Sequence, residues 1–138
     1  MTDLEAFDEL SYYTLSRGDA GFIHQHAVDA YAAQYAGEGT KPITLVFGLV
    51  GLHLAVERGW TGRQVQLFHM KMARHKRPWP ELPMPVPRGD IRIGVVLAAA
   101  PGAERDARIM DWCRSVWDAY ADARTTIRNL AADFDALP

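Results

Sequence analysis

Ile43-Thr44-Leu45-Val46-Phe47-Gly48-Leu49-Val50-Gly51-Leu52-His53-Leu54-Ala55-Val56 is the longest apolar stretch of the chain, 14 residues interrupted by Thr44 and His53. A membrane span needs about 20 such residues, so the stretch is too short to cross a bilayer. A pair of buried strands would need a turn, and the run contains none. A helix fits better, because Pro42 suits a first turn and Gly59 a C-terminal cap. Apolar residues cover most of its circumference, which predicts burial between neighbours. Thr44, Gly48, Gly51 and Ala55 form a strip of small side chains along it. Such a strip lets a second helix approach closely, which accounts for glycines that each cost about 1 kcal/mol relative to alanine inside a helix.

The same 3.6-residue pitch extends in both directions. Thr2 with Glu5 forms a capping box, and Leu4, Phe7, Leu10 and Thr14 continue a first helix that ends before Ser16-Arg17-Gly18. A second helix is predicted from Asp19 or Gly21 to Gly37 or Gly39. On it Ile23, His24, Ala27, Val28, Tyr31 and Tyr35 share the apolar face, with His26, Asp29 and Ala33 opposite. Thr61 and Gln64 form another capping box, opening a helix whose inner face is Val65, Phe68, His69 and Met72.

From Pro78 to Pro87 five prolines alternate with Trp79, Leu82, Met84 and Val86, which excludes regular helix and predicts an extended surface strap. Asp90 is a candidate cap for a short helix through Val95–Ala100, with an extended Ile91-Arg92-Ile93 as the alternative. Beyond Pro101-Gly102, the residues Ile109, Cys113, Val116, Tyr120, Ala123, Ile127, Leu130 and Phe134 predict one long amphipathic helix. The expected architecture is all-α: a single domain over residues 1–138, a bundle of about five helices with a long C-terminal helix and a Pro-rich extended strap.

Composition agrees with that class. The chain has 138 residues, 49% apolar and 23% charged, with a formal charge of −2, near the average for one packed domain. One cysteine, Cys113, excludes an internal disulfide framework and a Cys-rich zinc site. The acidic start Met1-Thr2-Asp3-Leu4-Glu5 is unlike a signal peptide, and with the lone thiol it points to the reducing cytoplasm. Residues 1–38 carry seven acids against Arg17, whereas residues 58–80 carry six bases and no acid. The two regions either neutralise each other, within the fold or across a dimer, or leave an anion site near the His69–Arg77 helix end. Clustering of the bases in one segment and the absence of a recognition motif argue against nucleic acid.

Polar residues on apolar faces are the candidate site. His24 lies among apolar neighbours; His26 and Asp29, three apart, suit a local hydrogen bond or two metal ligands. His53 and Glu57, four apart on the apolar helix, offer the same choice. A buried carboxylate costs several kcal/mol, so Glu57 is expected to be paired, protonated, bound to a cation or in water near the helix end; its place two residues before Gly59 favours partial exposure, and Arg58 or Arg63 are candidate partners. A cavity uniting His24, His53, Glu57 and His69 would hold a divalent metal ion. Cys113 falls on a buried seam, where thiols are inert.

Several segments together resemble a known family. They are Phe22-Ile23-His24-Gln25-His26-Ala27-Val28-Asp29-Ala30-Tyr31-Ala32-Ala33-Gln34, Thr61-Gly62-Arg63-Gln64-Val65-Gln66-Leu67-Phe68-His69-Met70, Trp79-Pro80 with Arg88-Gly89-Asp90-Ile91, Pro101-Gly102-Ala103-Glu104-Arg105-Asp106, and Trp112-Cys113 with Ser115-Val116-Trp117. The combination is similar to a bacterial domain family of unknown function, numbered 5946, over nearly the whole chain. An N-terminal cysteine pair of some members is absent here, which argues against a zinc-ribbon role. An aromatic often stands at the position of His53, which weighs against that residue as a ligand. The resemblance implies a fold and supplies no catalytic residue.

Two functions follow as expectations. One is a small protein with a polar pocket lined by His24, His26, Asp29, Gln34 and His69, with Arg63 as an anion contact, binding a metal ion or an anionic small molecule. The other is a non-catalytic interaction module or homodimer that uses the Trp79–Pro87 strap, with Trp112 and Trp117 as interface anchors. Neither involves nucleic acid or a membrane.

Overall fold

A computed structural model describes residues Met1–Pro138 as seven α-helices with no strand. They are α1 (Asp3–Ser16), α2 (His24–Gln34), α3 (Pro42–Arg58), α4 (Gly62–Arg74), α5 (Ile93–Ala98), α6 (Ala103–Ala119) and α7 (Arg124–Asp135). None is long and apolar enough to cross a membrane.

Local chemistry sets several helix ends where expected. Thr2 Oγ1 accepts from the Glu5 N–H while Glu5 Oε1 accepts from the Thr2 N–H, and Thr61 with Gln64 repeats the pattern at α4. Pro42 opens α3, and Gly59 closes it at φ +67°, a conformation that costs glycine little. The short helix expected through Val95–Ala100 is α5, which runs from Ile93 to Ala98 with Arg92 rather than Asp90 at its cap. Residues 76–92 form neither helix nor strand. Within them the Trp79 ring stacks on Phe134 at 5.8 Å and meets Phe47 edge-on at 5.2 Å.

Helix α3 is the hub, touching α2, α4, α6 and α7. Its Leu49, Val50, Leu52 and Leu54 are fully buried, each contributing about 1.5–3 kcal/mol by leaving water. The small-residue strip receives α2. A Cβ on Gly48 would lie 3.3 Å from the Asp29 carbonyl oxygen, and one on Gly51 would lie 1.9 Å from Asp29 Oδ2.

Two expectations are corrected. The C-terminal pattern is two helices, because a 3-10 turn at Ala121–Ala123 separates α6 from α7. One tight turn preserves spacing by threes and fours, so the apolar rhythm passes through the break without a proline or glycine to mark it. Tyr120 anchors the break by donating its hydroxyl to the Ala33 carbonyl at 2.7 Å, and α7 then packs on α3. The faces of α2 are also reassigned. His26, Ala27, Asp29, Ala30, Ala33 and Gln34 are buried, while Tyr31 and Tyr35 are half-buried in a stack on Phe7. Three alanines let α2 lie close against its neighbours, and the bulky tyrosines go to the rim beside α1.

Charges distribute differently as well. No ion pair joins the acids of residues 1–38 to the bases of residues 58–80. Arg58 and Arg77 turn to Asp135 and Asp133 of α7, and Asp3 pairs with Arg92. Trp112 and Trp117 are 0% and 1% exposed, so both are core residues and neither is free to anchor an interface.

Candidate functional site

A groove of about 370 Å³ opens where α2, α3 and α4 meet. Its apolar wall is Val28 and Ala32 of α2 with Ile43 and Phe47 of α3, and its polar groups are Gln25, Asp29, Thr44 and His69. No lysine or arginine lines it.

Asp29 is 3% exposed. Its Oδ1 accepts from Gln25 Nε2 at 3.0 Å, while Oδ2 has no hydrogen-bond partner. The missing Cβ of Gly51 is what makes room for that second oxygen. Burial pushes the Asp29 carboxyl well above the usual carboxylate range, and the Gln25 hydrogen bond opposes this only in part. An acid without a counter-charge in so dry a place favours its neutral form.

His69 faces the same glutamine from α4. Its ring Nε2 lies 2.8 Å from the Phe47 carbonyl, which can only accept, so Nε2 carries the proton and Nδ1 is an acceptor. Gln25 Nε2 lies 3.4 Å from that Nδ1. One amide thus spans an acid and a base, directing a hydrogen to each. Burial lowers the His69 pKa to about 4, against the opposing effect of the Phe47 carbonyl, so the ring is neutral at physiological pH.

A family model matches residues 4–121, which include every residue of the groove. The chain belongs to DUF5946, a family of unknown function. No curated protein and no solved structure matches it. The DUF5946 match ends before α7, so Arg128 and Phe134 lie beyond it.

Of the anticipated pocket residues, this DUF5946 protein brings Asp29 and His69 to one groove and sends the others elsewhere. His24 Nδ1 bonds to Thr14 Oγ1 at 2.8 Å, tying α2 to α1, and burial lowers its pKa. His26 does not pair with Asp29. It is buried beside a separate shallow recess with Asp19 and Thr61, its Nδ1 without a partner. Gln34 is a strut whose polar atoms are all occupied. Its Oε1 accepts from Trp112 Nε1 at 2.8 Å, and its Nε2 donates to the Arg88 and Ile91 carbonyls. Arg63 is exposed and donates to Gln66 at 2.6 Å.

The anticipated metal quartet of His24, His53, Glu57 and His69 does not converge, and no group of three or more His, Cys, Asp or Glu is placed to hold a metal ion. Glu57 is saturated by protein donors instead. Arg128 donates to both carboxylate oxygens, Trp117 Nε1 to Oε2 at 3.1 Å, and His53 Nδ1 lies 2.8 Å from Oε1. The Arg128 guanidinium, more than the Trp117 and His53 contacts, holds the Glu57 carboxyl down at about 2. Glu57 is exposed at the end of α3, and its cationic partner is Arg128, on α7, rather than Arg58 or Arg63.

Cys113 is buried with Sγ 3.5 Å from the His26 carbonyl, and burial pushes its thiol far up, disfavouring the nucleophilic thiolate. Gln25 and Phe47 were the site residues that sequence reasoning missed. A signal for Gln25 existed, since it stands four residues before Asp29, one helical turn away on the same face.

Proposed function

We propose that this DUF5946 protein binds a small organic molecule in the groove between α2, α3 and α4, with Asp29, Gln25 and His69 as its polar recognition group. The observation that carries this reading is Asp29, an acid 3% exposed among the residues that line the groove, joined through the Gln25 amide to His69 of the facing helix. An acid so buried and without a counter-charge, set among the lining of a groove, is the kind of perturbed titratable group that marks a binding site. The groove's volume also lies within the range of small-ligand sites, about 300–1,000 Å³. The anticipated anionic ligand is disfavoured, because no cationic side chain lines the groove.

The test is a fragment screen on isotopically labelled protein. Binders should shift the amide signals of Ala32 and Phe47 and the imidazole signals of His69 together, and saturably. A chemically varied screen in which no compound moves those signals contradicts the reading.

A further inference from the structure

We propose that a second copy of this chain docks through the outward faces of α1 and α4, each copy's α1 lying against the other's α4. The inference goes beyond the groove and stands without it. On α1 the residues Leu4, Asp8, Tyr12 and Leu15 recur at helical spacing along the side turned away from the core, and all four are exposed. Arg63, Leu67, Met70 and Arg74 do the same on α4. The apolar members, Leu4, Tyr12, Leu15, Leu67 and Met70, each keep about half or more of their surface in water. Single exposed apolar residues are ordinary, but runs of them along one helix face mark contact surfaces.

Charge selects the pairing. Asp8 stands within the α1 stripe with Glu9 beside it, whereas the α4 stripe begins and ends on arginine and residues 58–80 contain no acid. The fold itself leaves these charges open: Asp8 and Glu9 pair with no base, and Arg63 and Arg74 with no acid. Arg63 donates only to the Gln66 amide oxygen. Setting α1 on α1, or α4 on α4, would bring like charges together. Setting α1 on α4 places acids against bases around an apolar seam, which favours that partner and disfavours the other two arrangements. The stripes also match in length, each about 16 Å along its helix axis. Helix α2 touches both α1 and α4, so the two stripes flank one element. A two-fold pair then makes the same contact twice.

The experiment is sedimentation equilibrium of the full chain from roughly 5 μM to 1 mM, the range of weak and transient pairs. The mass should rise with concentration from one chain towards two, and added salt should weaken the rise. Asp8→Arg, and the double variant Arg63→Glu with Arg74→Glu, should each weaken self-association at least about tenfold, because each sets like charges against each other in both contacts. All three positions are exposed, and circular dichroism should show both variants folded. An equal mixture of the two variants should associate within about threefold of wild type. In the mixture the reversed α1 of one chain meets the reversed α4 of the other, and the two unaltered helices meet each other. A chain that stays monomeric over the whole range overturns the proposal, as does a mixture that fails to restore association. A dimer indifferent to salt and to both variants also overturns it, since another face then holds the pair. Monomers that bind phosphatidylserine vesicles through Arg63 and Arg74 would give the α4 face to an anionic membrane surface and overturn it too.

Discussion

Gly51 and Asp29 occupy one space: a methyl group on the glycine would lie 1.9 Å from the aspartate Oδ2. Inside an exposed helix, glycine to alanine gains up to about 1 kcal/mol. At position 51 the new carbon has to displace a buried carboxyl wedged between two helices, so the sign reverses. Gly51→Ala is expected to lose about 1–3 kcal/mol in urea unfolding. Adding Asp29→Ala should recover much of that loss, because the obstructing group is gone. Gly94, with no atom near its would-be Cβ, is the control, and its alanine variant should be as stable as wild type or slightly more so. Equal effects at the two glycines would contradict the close approach of α2 to α3.

Gln34 holds residues 88–91 and Trp112 together from the middle of the core. Replacing it with leucine keeps the bulk and strands an indole N–H and two carbonyls. Each buried orphan costs about 1–3 kcal/mol, some of which water recovers at the less buried carbonyls. Gln34→Leu should therefore cost about 2–4 kcal/mol by denaturant unfolding, with altered tryptophan fluorescence. A variant as stable as wild type would deny the strut.

Acid should weaken the contact of Glu57 with Arg128. The carboxyl sits at about 2 in the folded chain against an ordinary 4.5. A depressed pKa means that the pairing stabilises the fold fully above pH 4.5 and is lost as pH falls from there through about 2. Melting temperature should decline over that window in wild type. Arg128→Ala should begin from a lower value and decline less, since the main cause of the depressed pKa has been removed. Parallel curves would show that the pair contributes nothing particular to Glu57.

His69 offers a second pH window. Its folded pKa of about 4 lies below the ordinary 6.5, so the neutral ring adds stability above pH 6.5 that is lost as pH falls through about 4. The whole effect is on the order of 3 kcal/mol. Nitrogen-15 spectra should show a neutral ring protonated at Nε2 throughout the physiological range. An Nδ1-protonated ring, or one titrating near its free value, would remove His69 as the acceptor in the groove.

Much of the fold was legible because local rules and tertiary packing agreed. Pro42, Gly59 and the two capping boxes mark helix ends by their own backbone chemistry, and the Gly48–Gly51 strip announced a close helix neighbour. Failures came where only the tertiary fold decides. The break after Tyr120 keeps the apolar spacing, and the hydrogen bond that secures it ends on Ala33, 87 residues away. On α2, size counted for more than hydrophobicity, so alanines went inward and tyrosines to the rim. The site was half legible. Asp29 and His69 stood out as polar residues at telling positions, but their connection through Gln25 spans two helices. His24, His53 and Glu57 also stood out: His53 takes Glu57, the partner its i, i+4 spacing names, whereas His24 and Glu57 are satisfied by Thr14 and Arg128, which no local pattern names.

Everything proposed for the groove depends on Asp29 being an acid without a counter-charge in the free protein. The direct measurement is the carbon-13 shift of its carboxyl followed from roughly pH 3 to 9. Because burial raises the folded-state pKa, the proton should persist well past the ordinary value of 3.8, and the ionised form should destabilise the fold increasingly as pH rises. Asp29→Asn should accordingly gain on wild type with rising pH. A carboxyl that ionises near 3.8, leaving the variant's relative stability flat with pH, would mean that Asp29 already has its partner and is not an open recognition group of the groove.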